Sequence, residues 1–347
     1  MDFGARQERR AILVQPEATL GTHTLAAAVK LPARAESRLN VESERVDVDG
    51  MTDGYAGGIM QVPTRKHWGG EIITSIPDHG ENWCGLLAVL LLASGFQATY
   101  DGAEDDLTLV PSLKPAANWP GVGSEGARTP SALSIGDVRY DDNAADSVGR
   151  ITSATLASKL RLQRGEPMAL VSTVLGLVSA SGERDYGTTD LSTLGALPSG
   201  ETLYGIPFNP SVLTVSRVDD DGSASVTLVD FDGLEIDFAP EHALLMGSSY
   251  GYAAAPVFHT KAMTGELKIA LSRAMDVNLA ERSRLSFQIE QTFGSGAKIE
   301  ITIPCAELGQ GVVSNDAGKL VMTYPLRIVR SAFGVSTSPI TIVLHHA

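Results

Sequence analysis

The sequence has few cysteines, few aromatic residues and no long hydrophobic run, and each shortage excludes a class of protein. Two cysteines, Cys84 and Cys305, cannot build a disulfide framework, and neither stands in a cluster typical of a metal site. The most apolar run, Trp83 to Phe96, is shorter than the roughly 20 residues that span a bilayer. Met1 to Arg10 is charged and lacks the apolar segment of a signal peptide. We therefore expect a soluble protein, made in a reducing compartment, with two buried thiols and no membrane partner.

Positive charge is also scarce. The 347 residues include 27 Lys and Arg against 41 Asp and Glu, a formal charge of −14. Tight binding of free nucleic acid requires clustered Lys and Arg, so this balance argues against it. Hydrophobic residues make up 43%, enough for a sizeable core, which excludes wholesale disorder. The length predicts about one to three domains.

The chain consists mostly of short, β-branched segments separated by Gly, Pro and Asp. Eight segments have the composition and length of strands: Val41–Asp49, Glu71–Ile76, Met168–Val178, Ser225–Phe231, Leu285–Ile289, Ile299–Ile303, Leu320–Val329 and Ile340–Leu344. Turn signals separate many of them, among them Asp101-Gly102, Asp232-Gly233 and Asn315 to Gly318. The predicted class is mainly β.

Helical pattern is limited to three places. The clearest is the run 82–95, which Asn82 opens as an N-cap and Gly95 ends. Weaker helical patterns occur at Ala154 to Leu162 and at Asp276 to Arg282. The stretch 111–149 is rich in Pro and Asp and has little periodicity, so we expect an extended surface insertion.

An internal repeat is visible in the order of the segments. Three pairs of segments match: Leu39–Ser43 with Leu234–Phe238, Gly70–Ile72 with Gly265–Leu267, and Leu156–Gly165 with Leu308–Gly318. The first two pairs have the same offset along the chain. A chance match of apolar triplets is the alternative. The shared order of strand, long loop, strand, weak helix and strand pair favours two modules, 1–199 and 200–347, divided near Ser199-Gly200.

The predicted strands have one apolar face and one small or polar face. In 71–76 the polar face carries Glu71 and Ser75, and in 266–272 it carries Glu266, Lys268 and Ser272. Periodicity alone fits a sandwich with a solvated outer face. The alternative is a sheet that closes into a ring with other subunits and lines a water-filled channel.

Four segments resemble the tail tube proteins of tailed bacteriophages, in the family's order. Arg10 to Thr22 (RAILVQPEATLGT) resembles the opening strand with its "glutamate, threonine, x, glycine, threonine" signature. Trp83 to Phe96 resembles the short helix that ends in a glycine-aromatic pair. Gly165-Glu166-Pro167 resembles the entry to a later long strand, and Asn315 to Arg327 is similar to the penultimate strand.

The resemblance implies a structural virion protein. Two tandem tail-tube modules, each a β-sandwich or barrel with one short helix, would contribute strands to an inner β-barrel shared between subunits. Stacked rings would form the tube through which genomic DNA passes, and an acidic bore would repel phosphate. An N-terminal arm, 1–31, and the loops 51–64 and 246–260 would bridge subunits and rings.

The implied partners are other copies of the chain together with tail terminator, tape measure and distal tail proteins; DNA would pass without specific binding. The ring would be a trimer with pseudo-sixfold symmetry, or a hexamer if the repeat is accidental. The protein would be assembled in the host cytoplasm and located in the virion tail, with no cofactor or metal. An alternative is a ring or tube component of a tailocin or other injection device. The lumen-lining candidates, each of which could instead lie on the outer surface, are Glu71, Ser75, Glu266, Lys268 and Ser272.

Two motifs could indicate an enzyme or a metal site. Gly247 to Gly251 fits the G-x-S-x-G pattern with Ser249 as nucleophile, and Asp276 and His345 follow in order, but the sequence leaves no room for the helix this motif requires. The segment 47–58 resembles a calcium loop but has Met51 at the fifth position and Gly58 at the twelfth. A serine hydrolase is therefore the less favoured alternative, and we expect no enzyme.

Overall fold

The computed structural model is mainly β, as predicted, with a single α-helix among the residues that it describes. The described residues are 9–17, 21–48, 60–76, 86–111, 132–140, 147–186, 207–219, 222–226, 231–238, 240–246, 253–260, 262–270, 284–293, 296–316, 319–329 and 338–345. Within these ranges no helix is long and apolar enough to cross a membrane.

Within the described residues, the first half of the chain has ten strands and the helix. They are β1 (Arg9–Pro16), β2 (Val29–Lys30), β3 (Arg38–Val48), β4 (Met60–Ser75), α1 (Leu86–Ala93), β5 (Phe96–Asp101), β6 (Asp106–Pro111), β7 (Leu133–Tyr140), β8 (Ser147–Gln163), β9 (Ala169–Val178) and β10 (Arg184–Tyr186). The helix α1 is apolar on every side and buried, and Gly95, with φ +84°, follows its end as predicted.

The described part of the second half has eleven strands. They are β11 (Leu213–Asp219), β12 (Gly222–Val226), β13 (Phe231–Asp237), β14 (Pro240–Met246), β15 (Ala253–Thr260), β16 (Thr264–Ala270), β17 (Arg284–Thr292), β18 (Lys298–Leu308), β19 (Val312–Asp316), β20 (Lys319–Ile328) and β21 (Thr341–His345). A 3₁₀ turn at Pro210–Val212 precedes β11.

The central feature is one antiparallel sheet to which both halves contribute four strand positions. In the first half β3 pairs with β4, β4 with β9 and β9 with β8. In the second half β13 pairs with β16, β16 with β20, and β20 with β18 and then β19. The two four-stranded units meet where the end of β8 pairs with β13, from Lys159 opposite Asp237 to Gln163 opposite Gly233. We call this contact the internal seam.

The layer that covers this sheet also repeats its pairings. β1 pairs with β7 and β7 with β8 in the first half, and β11 pairs with β17 and β17 with β18 in the second. One hydrophobic core runs through both halves, from Ile12 to Leu344, and includes Phe96 edge-on to Phe238 with ring centroids 5.0 Å apart. The last strand, β21, pairs with β6 of the first half. The two units are therefore packed together, whereas the proposed division at Ser199-Gly200 lies outside the described residues.

The register of the repeat can be read from the strand pairs. Glu71 of β4 lies opposite Thr173 of β9, and Glu266 of β16 lies opposite Pro325 of β20. The order of the pairings makes β4 the equivalent of β16 and β9 the equivalent of β20. The sequence match of Gly70–Ile72 with Gly265–Leu267 then aligns Glu71 with Glu266, and on this alignment Thr173 corresponds to Pro325.

One predicted alignment, that of Leu39–Ser43 with Leu234–Phe238, is wrong. It makes Asn40 the equivalent of Glu235, but the pairings place Arg38 opposite Glu71 and Glu235 opposite Glu266. Arg38 is therefore the true equivalent of Glu235, two positions earlier in the chain. An error of two positions keeps every side chain on its face, which is why periodicity did not reveal it.

Two glycines confirm this register independently. A Cβ on Gly70 would lie 2.1 Å from the carbonyl oxygen of Arg38, and a Cβ on Gly265 would lie 2.4 Å from that of Glu235. Arg38 and Glu235 are the same two residues that the strand pairing makes equivalent. The same close approach between neighbouring strands is therefore present in both units, and only glycine fits it.

Several predicted elements differ in the structure. Residues 154–162, predicted as a helix, belong to β8. In the segment 111–149, predicted as a surface insertion, 133–140 form the strand β7, which lies in the core; the parts 112–131 and 141–146 lie outside the described residues. Asp232-Gly233, predicted as a turn, lies within β13 where its pairing shifts register.

The predicted bridging segments also differ. Within the predicted N-terminal arm, β1 lies in the chain's own core, where Val14 is fully buried, so an extended arm is wrong for the described part of 1–31. Of the predicted loops, 60–64 belong to β4 and 253–260 form β15, while 51–59 and 247–252 lie outside the described residues. Asp276 to Arg282, the last of the three predicted helical segments, also lies outside the described residues.

Candidate functional site

The central sheet has one face on the core and one opposite face that carries most of its charge. Along β4, Ile72 points into the core, and along β16 Leu267 occupies the corresponding position; both are buried. Their neighbours in the sequence, Glu71 and Glu266, are exposed on the opposite face. We call this the charged face.

The structure places four of the five predicted lumen residues. Glu71 is exposed between Arg38 and Thr173, and Glu266 is exposed between Glu235 and Pro325. Four strand spacings, about 19 Å, separate β4 from β16, and the pairings also displace Glu71 from Glu266 by four residues along β8, about 13 Å. The two glutamates are therefore more than about 19 Å apart, so they are repeated positions and not one cluster.

The other candidates behave differently. Lys268 is half-buried, and no ion pair joins it to Glu266 in the part of the chain that the structure describes. Ser75 has the parity of the charged face but is only 9% exposed, because its amide donates to the Pro32 carbonyl and its hydroxyl accepts from Arg34 Nε at 3.3 Å. Ser272 lies outside the described residues.

The charged face carries both signs in nearly equal number. In the segments that pair within the central sheet, its described side chains include five basic and six acidic residues. The basic residues are Arg38, Lys159, Arg161, Lys268 and Arg327, and the acidic residues are Glu42, Glu71, Glu235, Asp237, Glu266 and Glu307. The chain's charge of −14 is therefore not concentrated on the described part of this face.

The internal seam is held by charge on this face and by apolar packing on the other. Lys159 of β8 lies 3.6 Å from a Glu235 oxygen and 3.5 Å from an Asp237 oxygen of β13. Burial lowers the pKa of Lys159, but attraction by Asp237 and Glu235 outweighs it, so the net shift is upward. On the core side Leu160 and Ile236 are buried opposite each other. The seam thus combines both kinds of contact found at stable interfaces.

The glutamate of the opening motif has a structural role that its sequence context did not reveal. Glu17 is 1% exposed, and its carboxylate accepts hydrogen bonds from the Ser153 amide at 2.7 Å, the Ser134 hydroxyl at 3.0 Å and the Gly21 amide at 3.0 Å. Ser153 has φ +48°, a conformation that non-glycine residues rarely adopt. Burial raises the pKa of Glu17, against the hydrogen bonds that lower it. The carboxylate therefore fixes the N-terminal segment onto β7 and the kink of β8.

A second buried carboxylate was missed altogether by sequence reasoning. Asp137 of β7 is fully buried and meets three arginines, with Arg10 Nε at 2.5 Å, Arg184 Nη2 at 2.8 Å and Arg139 Nε at 3.3 Å. The Arg184 guanidinium also lies 5.6 Å from the ring centre of Trp68. These residues come from four separate strands, so no local spacing could have predicted the cluster.

The motifs that could indicate catalysis or metal binding contribute little to the described structure. Ser249 and the G-x-S-x-G motif lie outside the described residues, as does most of the segment 47–58. Among the described residues, no group of three or more His, Cys, Asp or Glu side chains is arranged to hold a metal ion.

Comparison with solved structures gives a structural likeness, whereas two other comparisons find no match. No protein-family model and no curated protein matches the chain. Among solved structures, a chain of the "Cryo-EM structure of the anti-feeding prophage (AFP) baseplate, 6-fold symmetrised" aligns with 36% of this chain and 93% of its own length, at 12% identity and a TM-score of 0.24.

Proposed function

We propose that this protein is a structural, non-enzymatic component of a phage-tail-like tube, in which several copies close into a ring. The supporting observation is the central sheet, in which two four-stranded units of matching register are joined edge to edge at the internal seam. A sheet built by repeating one edge contact still has two open edges in a single chain. Closing it with further copies removes those edges, which otherwise invite uncontrolled pairing.

The number of strands sets the size of such a ring. Three copies, each contributing eight strand positions, give about 24 strands spaced about 4.8 Å apart, and at the usual strand tilt the barrel is about 40 to 50 Å across its backbone. That bore is wide enough for a DNA duplex. Two similar units per chain give such a trimer pseudo-sixfold symmetry.

The charged face is the surface that we propose lines the bore. Glu71, Glu266 and Lys268 lie on it, whereas Ser75 is covered within the chain. A face of alternating sign offers no continuous track of Lys and Arg, so passing DNA neutralises few phosphates and is not retained. This accounts for passage without specific binding in a different way from a uniformly acidic bore.

The finer proposal is a tail tube protein of a tailed bacteriophage, which carries genomic DNA and meets tail terminator, tape measure and distal tail proteins. A tube component of a tailocin or another injection device would use the same ring. Measuring the nucleic acid content of native particles distinguishes the two, because only the phage encloses a genome.

Electron microscopy of the purified protein, together with native mass measurement, tests the ring. We expect hollow rings or short tubes, and a ring mass three times that of the 36.6 kDa chain. Discrete monomers at all protein concentrations would refute the proposal. Rings of six copies would refute the equivalence of the two units in each chain.

A further inference from the structure

We infer which two edges of the chain meet in this assembly and in which register: β19 of one copy pairs antiparallel with residues 36–40 of the next copy. The inference rests on the proposed function and identifies its binding partner as a second copy of the same chain. It is derived from the internal seam, which serves as the template for the contact between copies.

The correspondence of the strands fixes the register. Because β9 corresponds to β20, their hairpin partners β8 and β19 also correspond, and the pairings make Lys159 the equivalent of Val312. The correspondence of β3 with β13 makes Asn40 the equivalent of Asp237. In the internal seam Lys159 lies opposite Asp237, so the equivalent contact places Val312 opposite Asn40 of the next copy.

Burial of equivalent residues indicates that, within the described residues, no strand covers the side of β19 that faces away from β20. Leu160 and Met168, which lie beside the internal seam, are 2% and 1% exposed. Their equivalents in the second unit, Val313 and Leu320, are 52% and 56% exposed. The first pair is covered because another unit follows in the same chain. The second pair occupies the same positions at the end of the sheet, and in the inferred assembly the following copy covers it.

The receiving edge has a groove of matching position. A cavity of about 840 Å³ lies along residues 30–40 and ends at β3. In the internal seam, the equivalent place is occupied by the turn after β8: the Arg164 amide donates to the Asp232 carbonyl at 3.1 Å, and the Gly165 amide donates to the Phe208 carbonyl at 3.2 Å. Asp232 corresponds to Ala35, which lines the groove. In the inferred register, this groove lies beside the residues of the next copy that receive the end of β19.

The side chains around the groove include five basic residues: Arg10, Lys30, Arg34, Arg38 and Arg139. Three of them already contact a carboxylate of the same chain, because Arg10 and Arg139 lie beside Asp137 and Arg34 lies 3.6 Å from Glu166. The position of the groove, and not its charge, therefore supports the inferred contact.

Paired cysteines test the register. Directly opposed residues of antiparallel strands have Cα atoms about 4.5 to 5.5 Å apart, within the range that a disulfide bridges. In a background with Cys84→Ala and Cys305→Ala, Asn40→Cys/Val312→Cys is expected to form disulfide-linked dimers and trimers on a non-reducing gel. The matched control is Glu42→Cys/Val312→Cys, which is displaced by one step along the same face and should link at least ten-fold less.

The internal seam supplies the positive control. Lys159→Cys/Asp237→Cys is the equivalent pair within one chain, and it should form an intramolecular disulfide without any increase in mass. If this control forms and rings are visible, but Asn40 and Val312 do not link, the inferred contact is wrong and the proposed function stands. Preferential linking at Glu42 overturns the register. If neither rings nor links form, both the contact and the proposed function fail.

Discussion

Replacing Gly70 with alanine tests the structural equivalence on which the two-unit sheet depends. Gly70 has φ +134°, and a Cβ there would lie 2.1 Å from the carbonyl oxygen of Arg38 on the neighbouring strand. Gly165 is the matched control, because its φ of +78° is also positive but no atom lies within 4 Å of its Cβ position. Gly265 completes the series, with a Cβ position 2.4 Å from the Glu235 carbonyl oxygen.

The expected losses of unfolding free energy follow from these geometries. A positive φ costs a non-glycine residue about 1 to 2 kcal/mol, which is the whole expected effect of Gly165→Ala. Forcing an atom into a packed position adds about 1 to 3 kcal/mol. Gly265→Ala should incur only this steric cost, and Gly70→Ala should incur both, about 2 to 5 kcal/mol in all. A backbone carbonyl in a sheet cannot move aside without breaking strand pairing.

Urea unfolding of the unassembled protein, followed by circular dichroism, measures these differences. The expected order of destabilisation is Gly70→Ala above both other variants. A loss for Gly70→Ala no larger than that for Gly165→Ala would refute the close strand approach. If Gly265→Ala proved harmless while Gly70→Ala was damaging, the two glycines would not be equivalent.

Three further changes test the buried polar groups. Glu17→Gln should lose about 1 to 3 kcal/mol of unfolding free energy, because an amide cannot accept all the hydrogen bonds that the carboxylate does. Burial raises the pKa of Glu17 above 4.5, so the folded wild type binds this proton more tightly than the unfolded chain does. The difference in unfolding free energy between the wild type and the variant should therefore narrow as pH rises above 4.5. A difference in unfolding free energy that widened as pH rose would contradict the raised pKa. Asp137→Asn should cost about 3 to 5 kcal/mol in thermal or urea unfolding by leaving three arginines without their carboxylate, whereas the exposed Glu71→Gln should leave stability unchanged. Cys305 is 1% exposed and burial raises its pKa, so in a Cys84→Ala background iodoacetamide should label it only after unfolding; rapid labelling of the folded protein would contradict its burial.

Sequence patterns predicted elements best where only one secondary structure fits. Leu285–Ile289 and Ile299–Ile303 alternate apolar with polar residues, and both lie in strands. The spacing in 154–162 was ambiguous, because Leu156 and Leu160 fit one side of a helix as well as one face of a strand. Pairing with β9 and β13 decided for the strand against the helical propensity of Leu and Ala. In β7 both faces are buried, so no alternation marked it.

Sequence patterns also predicted some features of the candidate site and missed others. The polar parity of Glu71, Glu266 and Lys268 was readable from period-two alternation, because neighbouring residues of a strand point to opposite faces. Alternation did not predict three other features: the covering of Ser75 by Arg34, the mixed sign of the charged face and the cluster around Asp137. Each of them joins residues that are distant in the sequence.

The amino-acid sequence by itself determined that the chain is mainly β, that segments of the first half recur in order in the second, and which residues of a strand share a face. These are local properties, set by side-chain periodicity and composition. Only the tertiary structure decided that the two units join through β8 and β13, that Glu235 is the equivalent of Arg38, and that Val313 and Leu320 are left uncovered. The physical reason is that strand register and edge exposure depend on hydrogen bonds between distant segments, which a local pattern does not specify.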